Sequence, residues 1–137
     1  MDVLINIDVS DLAKAETFYR DAFGLRAGRR FGAFGVEMVG ATAPFYLLVK
    51  PPGSKASSAT DDVRRYERHW TPVHLDFVVE DLSAALARAE AAGAVREGEI
   101  KTANWGKSAY LADPFGHGLC LIEFLGRGYD EIADRDA

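Results

Sequence analysis

Residues 72–86 carry the sequence Pro-Val-His-Leu-Asp-Phe-Val-Val-Glu-Asp-Leu-Ser-Ala-Ala-Leu, in which a strand pattern runs directly into a helix pattern. The first part is apolar and β-branched, which is typical of a β-strand. The second part begins after Asp81, and aspartate is a preferred N-cap because its carboxylate accepts from free N–H groups of the first turn. The stretch therefore predicts a strand, a cap and a helix over residues 82–92, which ends at Gly93.

The same pattern occurs 70 residues earlier, at the start of the chain. Residues 3–15 read Val-Leu-Ile-Asn-Ile-Asp-Val-Ser-Asp-Leu-Ala-Lys-Ala, so that Val3 corresponds to Val73 and Asp11 to Asp81. A self-match at half the chain length indicates two copies of one supersecondary unit. We therefore expect the two halves of the chain to fold alike.

The segments after the two copies also correspond. In the first half, apolar residues at helical spacing predict a helix that ends at Gly24. Short apolar segments follow in both halves, and glycines separate them. In the second half, residues 113–116 also separate two segments with an Asp-Pro-Phe-Gly sequence that fits a type I turn. These segments predict strands over residues 27–31, 34–39 and 45–49 in the first half and 95–102, 105–112 and 119–125 in the second.

The predicted fold class is therefore α+β, with two βαβββ modules. The modules cover residues 1–49 and 72–125. Between them, residues 50–71 form a long linker that suits a mobile flap over a site, with a short charged surface helix predicted at residues 61–69. The tail, residues 126–137, is polar and is expected to extend over the surface.

Composition excludes several classes of protein. A net charge of −5 argues against a nucleic-acid partner, which would favour a basic surface. The single cysteine, Cys120, excludes an intramolecular disulfide and an all-thiolate metal site. No apolar run approaches the ~20 residues that span a membrane. We expect a cytoplasmic protein with no membrane partner.

Three features together resemble the vicinal oxygen chelate superfamily, which includes glyoxalase I, bleomycin-resistance proteins, fosfomycin-resistance enzymes and extradiol dioxygenases. They are a strand ending in Val-x-Asp-Leu in both halves, Phe-Tyr-Arg-Asp-Ala-Phe-Gly at residues 18–24, and Asp-Pro-Phe-Gly-His at residues 113–117. The resemblance covers residues 3–125. It implies an incompletely closed, cup-shaped sheet with the helices outside, and a homodimer.

The resemblance also implies four metal-ligand positions in the cup, which fall on Leu4, Tyr46, His74 and Cys120. Leucine has no lone pair, a protonated tyrosine is a poor ligand, and cysteine binds well only as the thiolate. Glu123 lies three residues beyond Cys120, so strand alternation turns it to the other face. Only His74 and Cys120 are plausible donors. We therefore predict no metal and no cofactor, with a divalent metal as the less favoured alternative.

Strand alternation and the resemblance define a candidate site for a small organic molecule. Alternation from His74 places Asp76 in the cup and Leu75 against the helix. In fosfomycin-type relatives, the positions of Ser108 and Tyr110 touch the ligand, although ordinary strand packing is an alternative. The complete predicted set is Leu4, Asn6, Asp8, Phe34, Tyr46, His74, Asp76, Ser108, Tyr110 and Cys120.

His74 is the central candidate, either as a polar pocket residue bonded to Asp76 or as a catalytic base or ligand donor. The favoured function is metal-independent binding of an aromatic or cationic compound, which the acidic Asp8 and Asp76 suit. The alternative is a metal-dependent glyoxalase-like lyase or isomerase, or a dioxygenase, that uses His74. His69 and His117 are assigned surface roles. Trp70, Trp105 and Phe34 are candidate aromatic walls.

Overall fold

The computed structural model describes residues 1–134 and contains two helices of the expected lengths, α1 and α2, with nine strands. The first half comprises β1 (Ile5–Val9), α1 (Leu12–Phe23), β2 (Arg26–Arg30), β3 (Gly35–Val39) and β4 (Phe45–Val49). The second half comprises β5 (Leu75–Val78), α2 (Leu82–Ala92), β6 (Val95–Arg96), β7 (Lys101–Ala103), β8 (Gly106–Ala112) and β9 (Gly118–Phe124). A 3₁₀ helix comes next, at Gly128–Glu131.

The strands form two separate mixed sheets with equivalent topology, which confirms the predicted pair of modules. The first sheet has the order β1-β4-β3-β2, and the second has the order β5-β9-β8-β6, with β7 also paired to β8. In both, the first strand runs parallel to the last. Asn6 lies opposite Tyr46 and Asp76 opposite Cys120, so the two halves share one register.

Both helices begin at the predicted aspartates and end at the predicted glycines. The Asp11 carboxylate accepts from the Lys14 backbone N–H at 3.0 Å, and Asp81 accepts from Ala84 at the same distance. Gly24 takes a φ of 69° at the end of α1, in the left-handed region that glycine enters without a Cβ clash. Each aspartate N-cap contributes about 1 kcal/mol to the stability of the fold.

Strand alternation divides each sheet into a face against its helix and a concave face. Leu75, Phe77 and Val79 are half-buried while Asp76 and Val78 are exposed, which is the predicted register. The helix-facing side chains form one core that extends over both modules. Its largest fully buried members are Tyr19, Phe18, Phe115, Met38, Leu47, Leu82, Leu111 and Leu121.

The modules contact each other through apolar side chains. The Phe77 ring of the second module stacks on Phe23 at a centroid distance of 4.2 Å and lies 5.6 Å from Phe45, both in the first module. Helix α1 also packs against α2, where the Arg88 guanidinium donates to the Ala22 carbonyl at 3.1 Å. The interface is therefore a continuation of the core rather than a wet domain boundary.

A buried carboxylate links the first helix to the turn before β9. Asp113 is 2% exposed, and it accepts from the Tyr19 hydroxyl at 2.7 Å and from the backbone N–H groups of Phe115 and His117, both at 2.9 Å. Burial, with the adjacent Asp113 carboxylate, raises the pKa of Tyr19 well above its ordinary value. Tyr19 therefore stays a neutral donor at physiological pH.

One part of the second half and one part of the linker differ from expectation. The predicted strand 95–102 is split into β6 and β7, because Gly98 turns the chain at a φ of 96°. Residues 61–69 form no helix. Val63 instead makes an isolated bridge with Lys55, and His69 makes one with His117. Within residues 1–134, no helix is long and apolar enough to cross a membrane.

The tail turns back onto the sheet instead of running over the surface. Tyr129 packs on Trp105 and Phe124, with ring centroids 5.1 Å and 4.8 Å away. These contacts also place Trp105 in the tail packing and not in a cup wall. The rest of the predicted tail, residues 135–137, lies outside the described residues.

We expect Tyr19→Phe to lower the free energy of unfolding by about 1–3 kcal/mol, because the variant removes one donor from a buried carboxylate. Urea unfolding followed by circular dichroism measures this change. Tyr129→Phe is the matched control, since Tyr129 is 48% exposed. Equal stability of Tyr19→Phe and the wild type would show that the hydroxyl contributes nothing to Asp113.

Candidate functional site

The linker packs against the turn that precedes β9. We call residues 67–71 the strap. A Cβ on Gly116 would clash with the Glu67 carbonyl oxygen, and a Cβ on Gly118 would meet the Arg68 guanidinium at 2.6–2.9 Å. The strap backbone therefore needs glycine at position 116, whereas a side chain at position 118 would displace the Arg68 guanidinium. The His69 backbone N–H donates to the Gly116 carbonyl at 3.2 Å and fixes the strap in register.

Two contiguous cavities lie on either side of His74 and share it, together with Thr71, Gly118 and Leu119. The first, of about 200 Å³, is open to solvent and is completed by Arg68, Trp70, Glu97 and Tyr110. The second, of about 440 Å³, lies between β1 and β5, which are the edge strands of their sheets in residues 1–134. Its polar lining includes Asn6, Asp8 and all three histidines of the chain, His69, His74 and His117.

His74 stands between the cavities with a carboxylate beside it. Its Nε2 lies 3.2 Å from Asp76 Oδ1, and the two side chains are 54% and 39% exposed. The imidazole can therefore accept from or donate to a bound molecule while Asp76 orients the ring. This contact is the one that the sequence predicted for His74 as a pocket residue.

Two other acids of the cavities are already neutralised by arginines. The Arg64 Nε lies 2.7 Å from Asp8 Oδ2, and the same guanidinium donates to Ser54 and the Lys55 carbonyl. The Arg68 Nε lies 2.7 Å from Glu97 Oε2. Asp8 therefore contributes less negative potential to the cleft than its sequence position suggests, and Asp76, which lies beside His74 but in neither lining, is paired with no arginine or lysine in residues 1–134.

A second polar network occupies the concave face of the first module. Glu37, which is 8% exposed, receives hydrogen bonds from Arg29 at 2.7–3.2 Å and from the Tyr46 hydroxyl at 2.9 Å. Arg29 also donates to the Tyr46 oxygen at 2.8 Å. The Arg29 hydrogen bonds, with that of Tyr46, lower the pKa of Glu37 from 4.5 to about 2. The network is thus an ionised carboxylate held by a cation and a phenol.

The thiol on the concave face of the second module is shielded. Cys120 is 3% exposed, and burial, with the nearby Asp76 carboxylate, raises the pKa of its thiol. A raised pKa keeps the sulfur protonated, which disfavours both nucleophilic attack and metal ligation. The structure therefore agrees with a packing role for this side chain.

The structure brings only some of the predicted site residues to the cavities. Asn6, Asp8, His74 and Tyr110 line the cavities. Asp76 is placed beside His74, whereas Leu4, Tyr46, Ser108 and Cys120 do not line these cavities. Phe34 is not brought to the site: it is 78% exposed in the turn between β2 and β3, because its backbone closes that turn.

Several cavity residues escaped the sequence interpretation because their roles depend on long-range contacts. Arg68 and Thr71 come from the strap, and Glu97 lies just after β6. The sequence predicted surface roles for His69 and His117. In the structure both are half-buried, and they face each other where the strap meets the turn before β9. The one available signal was Gly116, directly before His117, which marks a close approach of two backbones.

The four positions implied for a metal do not fit a divalent ion. Leu4 offers no donor, and Tyr46 has its oxygen bonded to both Arg29 and Glu37, with a positive charge 2.8 Å away. In residues 1–134, no three His, Cys, Asp or Glu side chains converge as a metal site. The donor chemistry of these positions therefore gives a divalent ion too few electron pairs to be held there.

The paired βαβββ modules and the cleft between β1 and β5 define a vicinal oxygen chelate fold. The sequence pattern of the glyoxalase-like domain matches residues 4–122, and the chain belongs to that family. No curated protein matches the sequence.

Solved structures with the same fold are distant in sequence. A glyoxalase/bleomycin resistance protein/dioxygenase family enzyme from Burkholderia phytofirmans PsJN aligns with a TM-score of 0.70 at 18% identity, covering 91% of this chain and 100% of that one. The fosfomycin resistance protein FosX of Listeria monocytogenes aligns at 0.68 and 18% identity, covering 90% and 92%. Lactoylglutathione lyase from Agrobacterium tumefaciens aligns at 0.63 and 23% identity, with the same coverage. These similarities establish the fold.

We expect Glu37→Gln to be less stable than the wild type near neutral pH. Because the pKa of Glu37 is lowered to about 2 in the folded protein, its ionised form stabilises the fold above pH 4.5, and this contribution is lost as the pH falls towards 2. Urea unfolding between pH 6 and pH 2 should therefore show the gap between wild type and variant closing.

Glu80→Gln is the control for this pH series, because Glu80 is exposed. It should track the wild type throughout. A gap for Glu37→Gln that stays constant from pH 6 to pH 2 would contradict the assigned charge state.

Proposed function

We propose that this protein binds a small, planar organic molecule in the cleft around His74, without the metal site that the superfamily resemblance implies. The proposal depends chiefly on the Arg29–Glu37–Tyr46 network. In that network the Arg29 guanidinium donates to the Tyr46 oxygen, the atom whose electron pair a metal would need. Leu4, at a second of the four implied positions, has no donor atom. Binding must then come from the cavity walls.

Aromatic surfaces beside a polar anchor support an aromatic ligand. Trp70 is 80% exposed and Tyr110 is 48% exposed, and both line the first cavity with His74. Large aromatic side chains left open to water in a concave site are typical of stacking walls. The Asp76 carboxylate next to His74 favours a cationic over a neutral aromatic compound.

A glyoxalase-like lyase or isomerase, or a dioxygenase, is the second candidate. The observation that favours it is the 3.2 Å contact between His74 and Asp76, since a carboxylate that orients an imidazole is a common arrangement for general base catalysis. In this alternative, His74 would take a proton from the substrate or donate an electron pair to a metal. The two candidates differ in whether binding in the cleft needs a metal.

We expect chelator-treated protein to bind N-methylquinolinium more tightly than the uncharged probe quinoline. Trp70→Ala should weaken N-methylquinolinium binding about tenfold through loss of stacking. His74→Ala should weaken it about fivefold, because the imidazole walls both cavities and orients Asp76 towards the cation, with little change in thermal midpoint. Isothermal titration calorimetry measures each affinity.

Phe34→Ala is the matched control for Trp70→Ala, because Phe34 is equally exposed, at 78%, but lies away from the cleft. Asp76→Asn should remove the preference for the cation over quinoline. The proposal fails if chelator abolishes binding, or if one equivalent of zinc, iron or nickel is present and is lost with an activity in His74→Ala. The latter result would establish the enzyme instead.

We further propose that the chain forms a homodimer. Leu4, directly before β1, and Val78, in β5, are 58% and 60% exposed, and exposed apolar side chains at the edge strands of a sheet favour burial against a partner. Analytical ultracentrifugation should give twice the chain mass, and Val78→Lys should shift it towards the monomer. A monomer at all concentrations would refute this assembly.

A further inference from the structure

Two histidines pair where the strap crosses the turn before β9. His69 belongs to the strap and His117 to the turn, and the two residues form an isolated parallel bridge. Their rings lie 5.1 Å apart between centroids and are nearly perpendicular, at 89°. Both rings are half-buried, and both border the second cavity. The pair is thus a fixed feature that remains open to solutes.

Backbone carbonyls fix the tautomer of each ring. His69 Nδ1 lies 3.0 Å from the Glu67 carbonyl oxygen, and His117 Nε2 lies 2.7 Å from the Asp8 carbonyl oxygen. A carbonyl oxygen only accepts, so each of these nitrogens carries the ring proton. In the neutral rings, His69 Nε2 and His117 Nδ1 are therefore both lone-pair donors.

The two lone-pair nitrogens are 3.3 Å apart. This separation is longer than the usual 2.7–3.2 Å of an N–H hydrogen bond. It equals the roughly 3.3 Å between two ligand atoms of a tetrahedral ion with bonds of about 2.0–2.1 Å. The outer N–H groups that donate to carbonyls also match the way in which metal-binding histidines are oriented.

We propose that His69 and His117 form a two-imidazole site for a borderline divalent transition-metal ion, such as Zn²⁺, Ni²⁺ or Cu²⁺. Neutral imidazole nitrogens suit these ions, and water completes the coordination. The ion ties the strap to the turn and so stiffens a wall of the cleft. This site is separate from the positions implied by the superfamily resemblance, and it does not depend on the organic ligand proposed above.

The test titrates ZnCl₂ and NiCl₂ into the untagged, chelator-stripped full chain by isothermal titration calorimetry, with no organic ligand present. We expect one ion per chain. His69→Gln and His117→Gln should each weaken binding at least tenfold. His74→Gln should stay within twofold of the wild type, because His74 is the remaining histidine of the same cavity but not of the pair.

A ¹H–¹⁵N spectrum of the histidine rings locates the ion without relying on folding of the variants. Zinc should shift the resonances of His69 Nε2 and His117 Nδ1, while the other nitrogen of each ring keeps its proton. The proposal is overturned if zinc moves neither resonance, if both rings are fully protonated and ignore zinc, or if His74→Gln abolishes binding.

Discussion

The Asp113 carboxylate is the constraint on which the rest of the structure depends. It is buried, and an ionised carboxylate in that position is tolerated only if its oxygens are satisfied. Two donors come from its own turn, and the third is the Tyr19 hydroxyl, 94 residues away in the other module. One side chain therefore shapes the turn before β9 and fixes where helix α1 lies on it.

The cleft is a consequence of this arrangement. The turn presents Gly116, His117 and Gly118 as a narrow backbone surface, onto which the strap packs. The strap then brings Trp70 beside His74 and turns Arg68 towards Glu97. Because most charges near the cleft are paired within the protein, the binding function proposed above assigns recognition to an imidazole, one carboxylate and two aromatic walls. We propose this set for binding a flat molecule rather than for coordinating a metal at the four positions implied by the resemblance.

Local rules predicted the elements, and long-range pairing decided the site. The aspartate caps, the Asp-Pro-Phe-Gly turn and the alternation around His74 each depend on a few neighbouring residues, and all three were predictable. The Arg29–Glu37–Tyr46 network joins three strands, and the pairing of His69 with His117 spans 48 residues, so neither leaves a pattern in a single sequence. The charged residues 61–69 were predicted to form a helix, but Val63 forms a bridge with Lys55 in the linker, Arg64 pairs with Asp8 of the first module, and His69 forms a bridge with His117 of the second.

The double-mutant cycle of Tyr19→Phe and Asp113→Asn tests most directly whether one buried contact couples the two modules. Asparagine keeps an acceptor for the two backbone N–H groups, so the cycle isolates the contact with the tyrosine. Urea unfolding of the four proteins should give a coupling free energy of about 1.5–3 kcal/mol, as for a hydrogen bond to a charged group. Additivity within about 0.5 kcal/mol would contradict the account, because the modules would then be held together without this contact.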